Sequence, residues 1–183
     1  PFEDTQLFIF GGLSFRRKVL NDFWIFDSNE KKWTLFNFPD APTPRYGHSS
    51  GIVGNKLVIY GGKNFKDIFG DCYIFDLQIW QWSKIELSGG ELNPRYGHRS
   101  FICDSVIVFI GGTPDNKNGA DPIALNVETK HAASFKSCGN VPPSLVLFGL
   151  NFFKNSTLVI YGGCEAGTKT ARNEIYFVDI PSH

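Results

Sequence analysis

An all-β fold built from repeated antiparallel sheets is what this sequence of 183 residues predicts, and three observations carry the prediction. Gly-Gly recurs at Gly11-Gly12, Gly61-Gly62, Gly111-Gly112 and Gly162-Gly163, at spacings of 50, 50 and 51 residues. Each pair closes an apolar run: Leu7 to Phe10, Leu57 to Tyr60, Val106 to Ile110 and Leu158 to Tyr161. Between the pairs, Pro-Arg-Tyr-Gly-His occurs at Pro44–His48 and again at Pro94–His98. Periods of about 20 to 50 residues mark solenoids, propellers and other arrays. This one fills the chain and leaves no room for a second fold.

The elements of one repeat follow in order. The apolar runs are continuous rather than alternating, as in strands buried on both faces. The glycine pair then supplies positive φ or lets a neighbouring strand approach closely. A loop leads to a second strand, Asp22–Asp27, Asp71–Asp76, Asp121–Asn126 and Glu174–Asp179, whose last Asp or Asn suits a turn. Six residues beyond that turn stand Trp33 and Trp82, on short strands near 32 to 37 and 81 to 87. Both are expected to be mostly buried between sheets, beside the Gly-Gly pairs. The Pro-Arg-Tyr-Gly-His element opens a further strand, near 49 to 54 and 99 to 104, and a turn at Gly54-Asn55 or Asp104-Ser105 returns the chain to the next apolar run. Four strands per repeat make one blade of an antiparallel propeller.

These residues resemble the kelch repeat: an apolar strand ending in Gly-Gly, an aromatic such as Tyr73, an Asp turn, a Trp six residues later, and Pro-Arg-x-x-His. The resemblance covers the whole chain. It implies a kelch-type β-propeller, with about three and a half four-stranded blades of a larger ring at approximately 1–46, 47–96, 97–145 and 146–183. With strands lettered A to D outward from the axis, the chain reads B-C-D, A-B-C-D, A-B-C-D, A-B-C. With Pro1 in place of Met, the expectation is a piece of a longer propeller. The resemblance assigns scaffold roles to Gly11, Gly12, Trp33, Arg45, His48, Gly61, Gly62, Tyr73, Trp82, Arg95, His98, Gly111, Gly112, Gly162 and Gly163. The later repeats depart from the pattern. Ile123 replaces the aromatic, Ala132 replaces the Trp, and Leu145-Val146-Leu147-Phe148-Gly149 replaces Pro-Arg-Tyr-Gly-His, so these blades should pack differently.

Composition narrows the function classes. Hydrophobic residues make up 42%, and 18 basic side chains balance 18 acidic ones, which is ordinary for a globular protein and carries no global nucleic-acid or membrane signature. The longest nearly apolar stretch, Leu145 to Phe153, is about half of what a membrane span needs. Cys72, Cys103, Cys138 and Cys164 form no Cys-x-x-Cys pair and read as free thiols in a reducing compartment, in the first place the cytoplasm, with the nucleus as the alternative. Asn155-Ser156-Thr157 matches a glycosylation acceptor but falls in an expected tight turn and is discounted.

No catalytic site, cofactor or metal is expected. His48 and His98 recur at one repeat position, whereas catalytic groups need a unique converging environment. Among enzymes built on kelch-like propellers, the iron-binding Glu-x-x-x-Asp-x-x-x-His element of nitrile specifiers is absent, and the Tyr, His and Cys set of copper radical oxidases does not assemble. What remains is a surface. The B-to-C loops, Leu13 to Asn21, Lys63 to Gly70, Thr113 to Ala120 and Cys164 to Asn173, contribute +3, +1, zero and +1, a total of +5 on a chain of net charge zero. Arg16, Arg17, Lys63, Lys66, Lys169 and Arg172 are candidate charge donors, with Phe15, Phe65 and Phe69 as apolar anchors. The alternative is that these loops are charged because they are wet and that their Phe side chains tuck beneath them. The expected function is a protein–protein interaction module that uses the face of the B-to-C and D-to-A loops to bind a protein, in particular an acidic segment, without nucleic acid or membrane. The alternatives are a propeller that recruits or regulates a catalytic domain elsewhere in the same protein, for example a phosphatase, and, more distantly, a carbohydrate-active propeller.

Overall fold

A computed structural model describes residues 5–136, 138–139, 142–153, 157–168 and 170–179. The described residues contain strands and turns and no helix. The first sheet comprises β1 (Gln6–Leu13), β2 (Val19–Asp27) and β3 (Lys32–Phe36). The second is β4 (Ser49–Val53), β5 (Lys56–Tyr60), β6 (Cys72–Asp76) and β7 (Gln81–Lys84), and the third is β8 (Arg99–Cys103), β9 (Val106–Ile110), β10 (Ile123–Asn126) and β11 (His131–Ser134). A two-stranded pair, β12 (Leu145–Val146) with β15 (Cys164–Glu165), caps the fourth sheet of β13 (Gly149–Phe152), β14 (Thr157–Tyr161) and β16 (Ile175–Asp179). Every pairing between these strands is antiparallel, and the sheets have three, four, four and three strands, the grouping expected of a kelch propeller fragment.

Alternation along the strands gives each sheet two faces. Phe10, Phe23 and Ile25 of the first sheet pack on Leu57, Ile59, Phe75 and Trp82 of the second. The opposite face of the second sheet, with Val58, Tyr60 and Ile74, packs on Ile107, Phe109, Ile123, Leu125 and Ala132 of the third. Phe148 and Ile160 then meet Ile110 across the interface between the third and fourth sheets. The continuous apolar run of β5 is therefore buried on both sides, as its composition implies.

Trp33 departs from its expected burial. Trp82 pairs with Phe75 across β6 and β7 and is 3% exposed, with rings of Phe10, Phe23 and Phe75 within 5.0 to 5.6 Å. Trp33 holds the same register opposite Phe26 but is 44% exposed. The reason is directional. This position faces the preceding sheet, and the first sheet has none against that face among the described residues. The register puts Leu7, Ile9 and Leu35 on the same side, and all three are exposed. At the other end of the stack, Tyr161, Ile175 and Phe177 are exposed on the free face of the fourth sheet.

The glycine pairs explain how the sheets are joined. All eight residues have positive φ. At Gly61 a Cβ would lie 2.6 Å from the Arg95 carbonyl oxygen and 2.9 Å from the His98 ring, so only glycine fits. In the first sheet the chain does not stop there. A bulge between Phe10 and Gly12 lets β1 and β2 run on to Leu13 and Val19, so both ends of the expected 13 to 21 loop are strand and the true turn is Ser14 to Lys18.

Two outcomes are expected. Trp82→Ala should destabilise by about 3 to 5 kcal/mol in denaturant titration, through lost burial and a cavity, while Trp33→Ala should cost below about 1 kcal/mol. The 183-residue chain alone should self-associate as its concentration rises, measured by size-exclusion chromatography with light scattering, because among the described residues two apolar sheet faces and the β1 and β16 edges lie open. A monomer at high concentration would show that those faces are covered.

Candidate partner-binding face

The segments that enter each sheet and the loops that follow each glycine pair lie against one another. Tyr46 and Lys63 exchange backbone hydrogen bonds of 2.9 and 2.8 Å, and Tyr96 and Thr113 exchange bonds of 3.2 and 3.1 Å. In the last repeat the same contact has grown into the β12–β15 pair. B-to-C loops and D-to-A segments thus share one face.

Beneath that face lie two arginines with different surroundings. Arg45 is fully buried and grips Asp71 with both terminal nitrogens, at 2.6 and 3.2 Å, while donating to the Gly61 and Thr43 carbonyls. The Phe69 ring covers its guanidinium at 4.2 Å. Arg95 is as deeply buried, but NH1 reaches the Asp121 backbone carbonyl at 2.8 Å rather than its carboxylate, and Nε has no partner. Burial, aided by the positive charge of Arg45, lowers the His48 pKa from 6.5 to about 4. His98, packed on Tyr60 and Phe109, is held well below 6.5 by burial first and then by Arg95. In the fourth repeat Leu145 and Phe148 take these places, both buried, and the Leu145 carbonyl still accepts from the Gly112 amide. That contrast is informative, because Phe148 shows that the site accepts an apolar ring of similar shape.

Above them, the Lys63 ammonium lies 3.5 Å from the centre of the Tyr96 ring and 5.6 Å from that of Tyr46, a position that favours cation–π attraction. Phe65, 64% exposed, leans on Tyr46 at 6.2 Å. The loop between is shaped by Asn64, whose side-chain oxygen accepts from the Lys66 and Asp67 amides at 2.7 Å. The next loop uses Asp115 likewise, and hydrogen bonds from the Asn118 and Lys117 amides lower its pKa to about 2. Tyr96 donates its hydroxyl to Asn116.

The structure separates the proposed contact residues. Phe15, Arg16 and Arg17 project at the tip of the β1–β2 hairpin, with Phe15 91% exposed and the Arg16 guanidinium 5.4 Å from its ring. Lys63, Phe65 and Lys66 form a second group. Phe69 turns inward onto Arg45 and stands apart from both groups, and Arg172 is not a free cation, since it pairs with Glu165 and, at 3.5 Å, with Glu174. Lys169 lies outside the described residues, as do Asn155 and Ser156. No group of three or more His, Cys, Asp or Glu that could hold a metal occurs among the described residues.

A sequence-family model described as the KLHDC2/KLHL20/DRC7 Kelch-repeats domain matches residues 2–163. The chain belongs to the kelch-repeat family. Kelch domains are in general non-catalytic modules that bind protein partners. This kelch chain is 32% identical over 184 residues to acyl-CoA-binding domain-containing protein 4 of Arabidopsis thaliana, covering 97% of the chain and 27% of that protein. It is 26% identical over 196 residues to Kelch repeat-containing protein 2 of Saccharomyces cerevisiae, covering 96% and 22%. It is also 34% identical over 116 residues to the Rho GTPase-activating protein gacHH of Dictyostelium discoideum, covering 59% and 8%. The chain therefore spans about a quarter or less of these relatives.

Sequence reasoning did not foresee the grip of Tyr46 and Tyr96 on Lys63, since the contact joins different repeats. It also passed over Leu147. Aligned on the strands that follow, Leu147 occupies the place of Gly47 and Gly97, and all three have positive φ: 68° and 73° for the glycines and 58° for Leu147. A left-handed conformation costs a side chain with a Cβ about 1 to 2 kcal/mol.

The two histidines make stability depend on pH. Their folded pKa lies below the unfolded 6.5, so between that value and about 4 the unfolded chain binds protons that the folded one does not, and stability falls as the pH drops through this window. Urea midpoints measured at about pH 7.5 and about pH 5 should fall less for His98→Phe than for the native chain. An equal fall would place the responsible groups elsewhere.

Proposed function

We propose that this kelch domain recognises an acidic segment of a protein partner across the face carrying the B-to-C and D-to-A loops. The observation that carries the reading is Lys63, fixed between Tyr46 and Tyr96 with Phe65 exposed beside it, so that a cation and an apolar side chain are presented together at little cost in side-chain entropy. Arg16 and Arg17 on the neighbouring hairpin extend the positive field. The four cysteines, all free thiols, support a cytoplasmic setting.

A second reading, in which the propeller serves a catalytic domain elsewhere in the same protein, is favoured by the similarity to a Rho GTPase-activating protein. It uses the same face and differs in what lies along the chain.

The test is kinetic, with the natural partner recovered by the full chain and immobilised for surface plasmon resonance. Reversing Lys63 and Lys66 to Glu should slow association and flatten its salt dependence, because exposed charges mainly set the on-rate. Phe65→Ala should mainly speed dissociation. Binding that survives both changes and ignores ionic strength would place recognition on another face.

A further inference from the structure

Gly47, Gly97 and Leu147 form a row on this face. The Gly97 amide donates to the Gly47 carbonyl at 2.7 Å, and the Leu147 amide donates to the Gly97 carbonyl at 2.8 Å. The row begins beside Tyr46 and passes Tyr96, the two rings that hold Lys63. Glycine is the residue this backbone asks for, and two repeats have it. Elsewhere, where a repeat gives up such a glycine, the replacement tolerates the conformation: Gly54 becomes Asp104, with φ of 58° and 52°. Leucine has no such tolerance. Nor is the strain offset by the core, since Leu147 is 58% exposed while its neighbours Val146 and Phe148 are buried. Trp80 makes the contrast clear, because the ring of that left-handed apolar residue packs against Phe36 at 5.1 Å and Phe75 at 5.9 Å. Strain kept at an exposed apolar side chain, where glycine would serve the fold, points to a contact outside the fold.

We propose that Leu147 is the apolar anchor of the binding face, and that the recognised acidic segment carries an apolar side chain which packs on it while the segment's carboxylates lie toward Lys63 and Lys66. This rests on the reading of the face given above and adds the partner's second chemical feature. The row's direction sets the order along the segment, with the carboxylates at the Tyr46–Lys63–Tyr96 end and the apolar residue one repeat further on. The exposed cations supply the complementary charge.

The full chain is titrated by fluorescence anisotropy with a labelled oligoglutamate peptide and with the same peptide carrying one leucine at its centre. The leucine peptide should bind tighter by about tenfold. Leu147→Gly and Leu147→Asn should abolish that difference and leave oligoglutamate binding unchanged, whereas Leu147→Met should keep it. Melting temperatures of the Gly and Asn variants should stay within about 3 °C of the native value, which separates loss of contact from loss of fold. If both peptides bind the native chain equally and only Lys63→Glu with Lys66→Glu weakens them, Leu147 has no part in recognition and the acidic reading survives. If the leucine peptide binds in a Leu147-dependent way without dependence on salt, the anchor stands and the acidic reading fails. If neither peptide binds, both are overturned.

Discussion

One backbone hydrogen bond recurs at every junction between sheets. The second glycine of each pair donates its amide to the carbonyl of the residue that opens the next sheet: Gly12 to Arg45, Gly62 to Arg95 and Gly112 to Leu145, each at 2.8 Å. The approach is so close that the preceding glycine has no room for a side chain, with Gly11, Gly61 and Gly111 each facing that same carbonyl at 2.6 to 2.8 Å from where a Cβ would stand. Sheet stacking, the position of the loops and the Tyr–Lys–Tyr group all follow, because this bond fixes where one blade ends and how the next one starts.

The bond is indifferent to the side chain of its acceptor, which is why the repeat can change chemistry without changing shape. The first junction buries an arginine paired with Asp71, the second an arginine held by backbone carbonyls, and the third a leucine. Charge buried without a carboxylate is costly. The arrangement around Arg95 and His98 keeps the histidine neutral, and the apolar pair Leu145 and Phe148 avoids the difficulty altogether.

Local regularity made the fold legible. The glycine spacing, the doubly buried run of β5 and the turn-forming Asp27, Asp76 and Asn126, whose side chains accept backbone amides two residues on, can all be read residue by residue. Context hid the rest. Trp33 and Trp82 occupy one register and differ in burial only because a sheet stands before one of them. Phe69 and Phe65 share a loop, yet one lies over a guanidinium and the other faces water, a difference that depends on Arg45 from another repeat. Arg172 looked like a free cation until Glu165 and Glu174 were brought to it. The signal for Leu147 was present in the alignment of repeats, but backbone conformation was needed to give it meaning.

Interfaces between successive sheets are unequal. Among the described residues the contiguous buried cluster between the second and third sheets holds twelve residues, that between the first and second eight, and that between the third and fourth three, with Val108 and Leu158 buried beside it. In an array stabilised by nearest-neighbour contacts, such a gradient sets the order of opening. The fourth sheet is the unit expected to part from its neighbour first, with the rest still folded, and amide exchange there reports that local equilibrium rather than global unfolding. Segment 145–149 spans this weakest seam, so a ligand seated on it acts as a clasp between two blades, and its affinity is tied to how often the seam is closed.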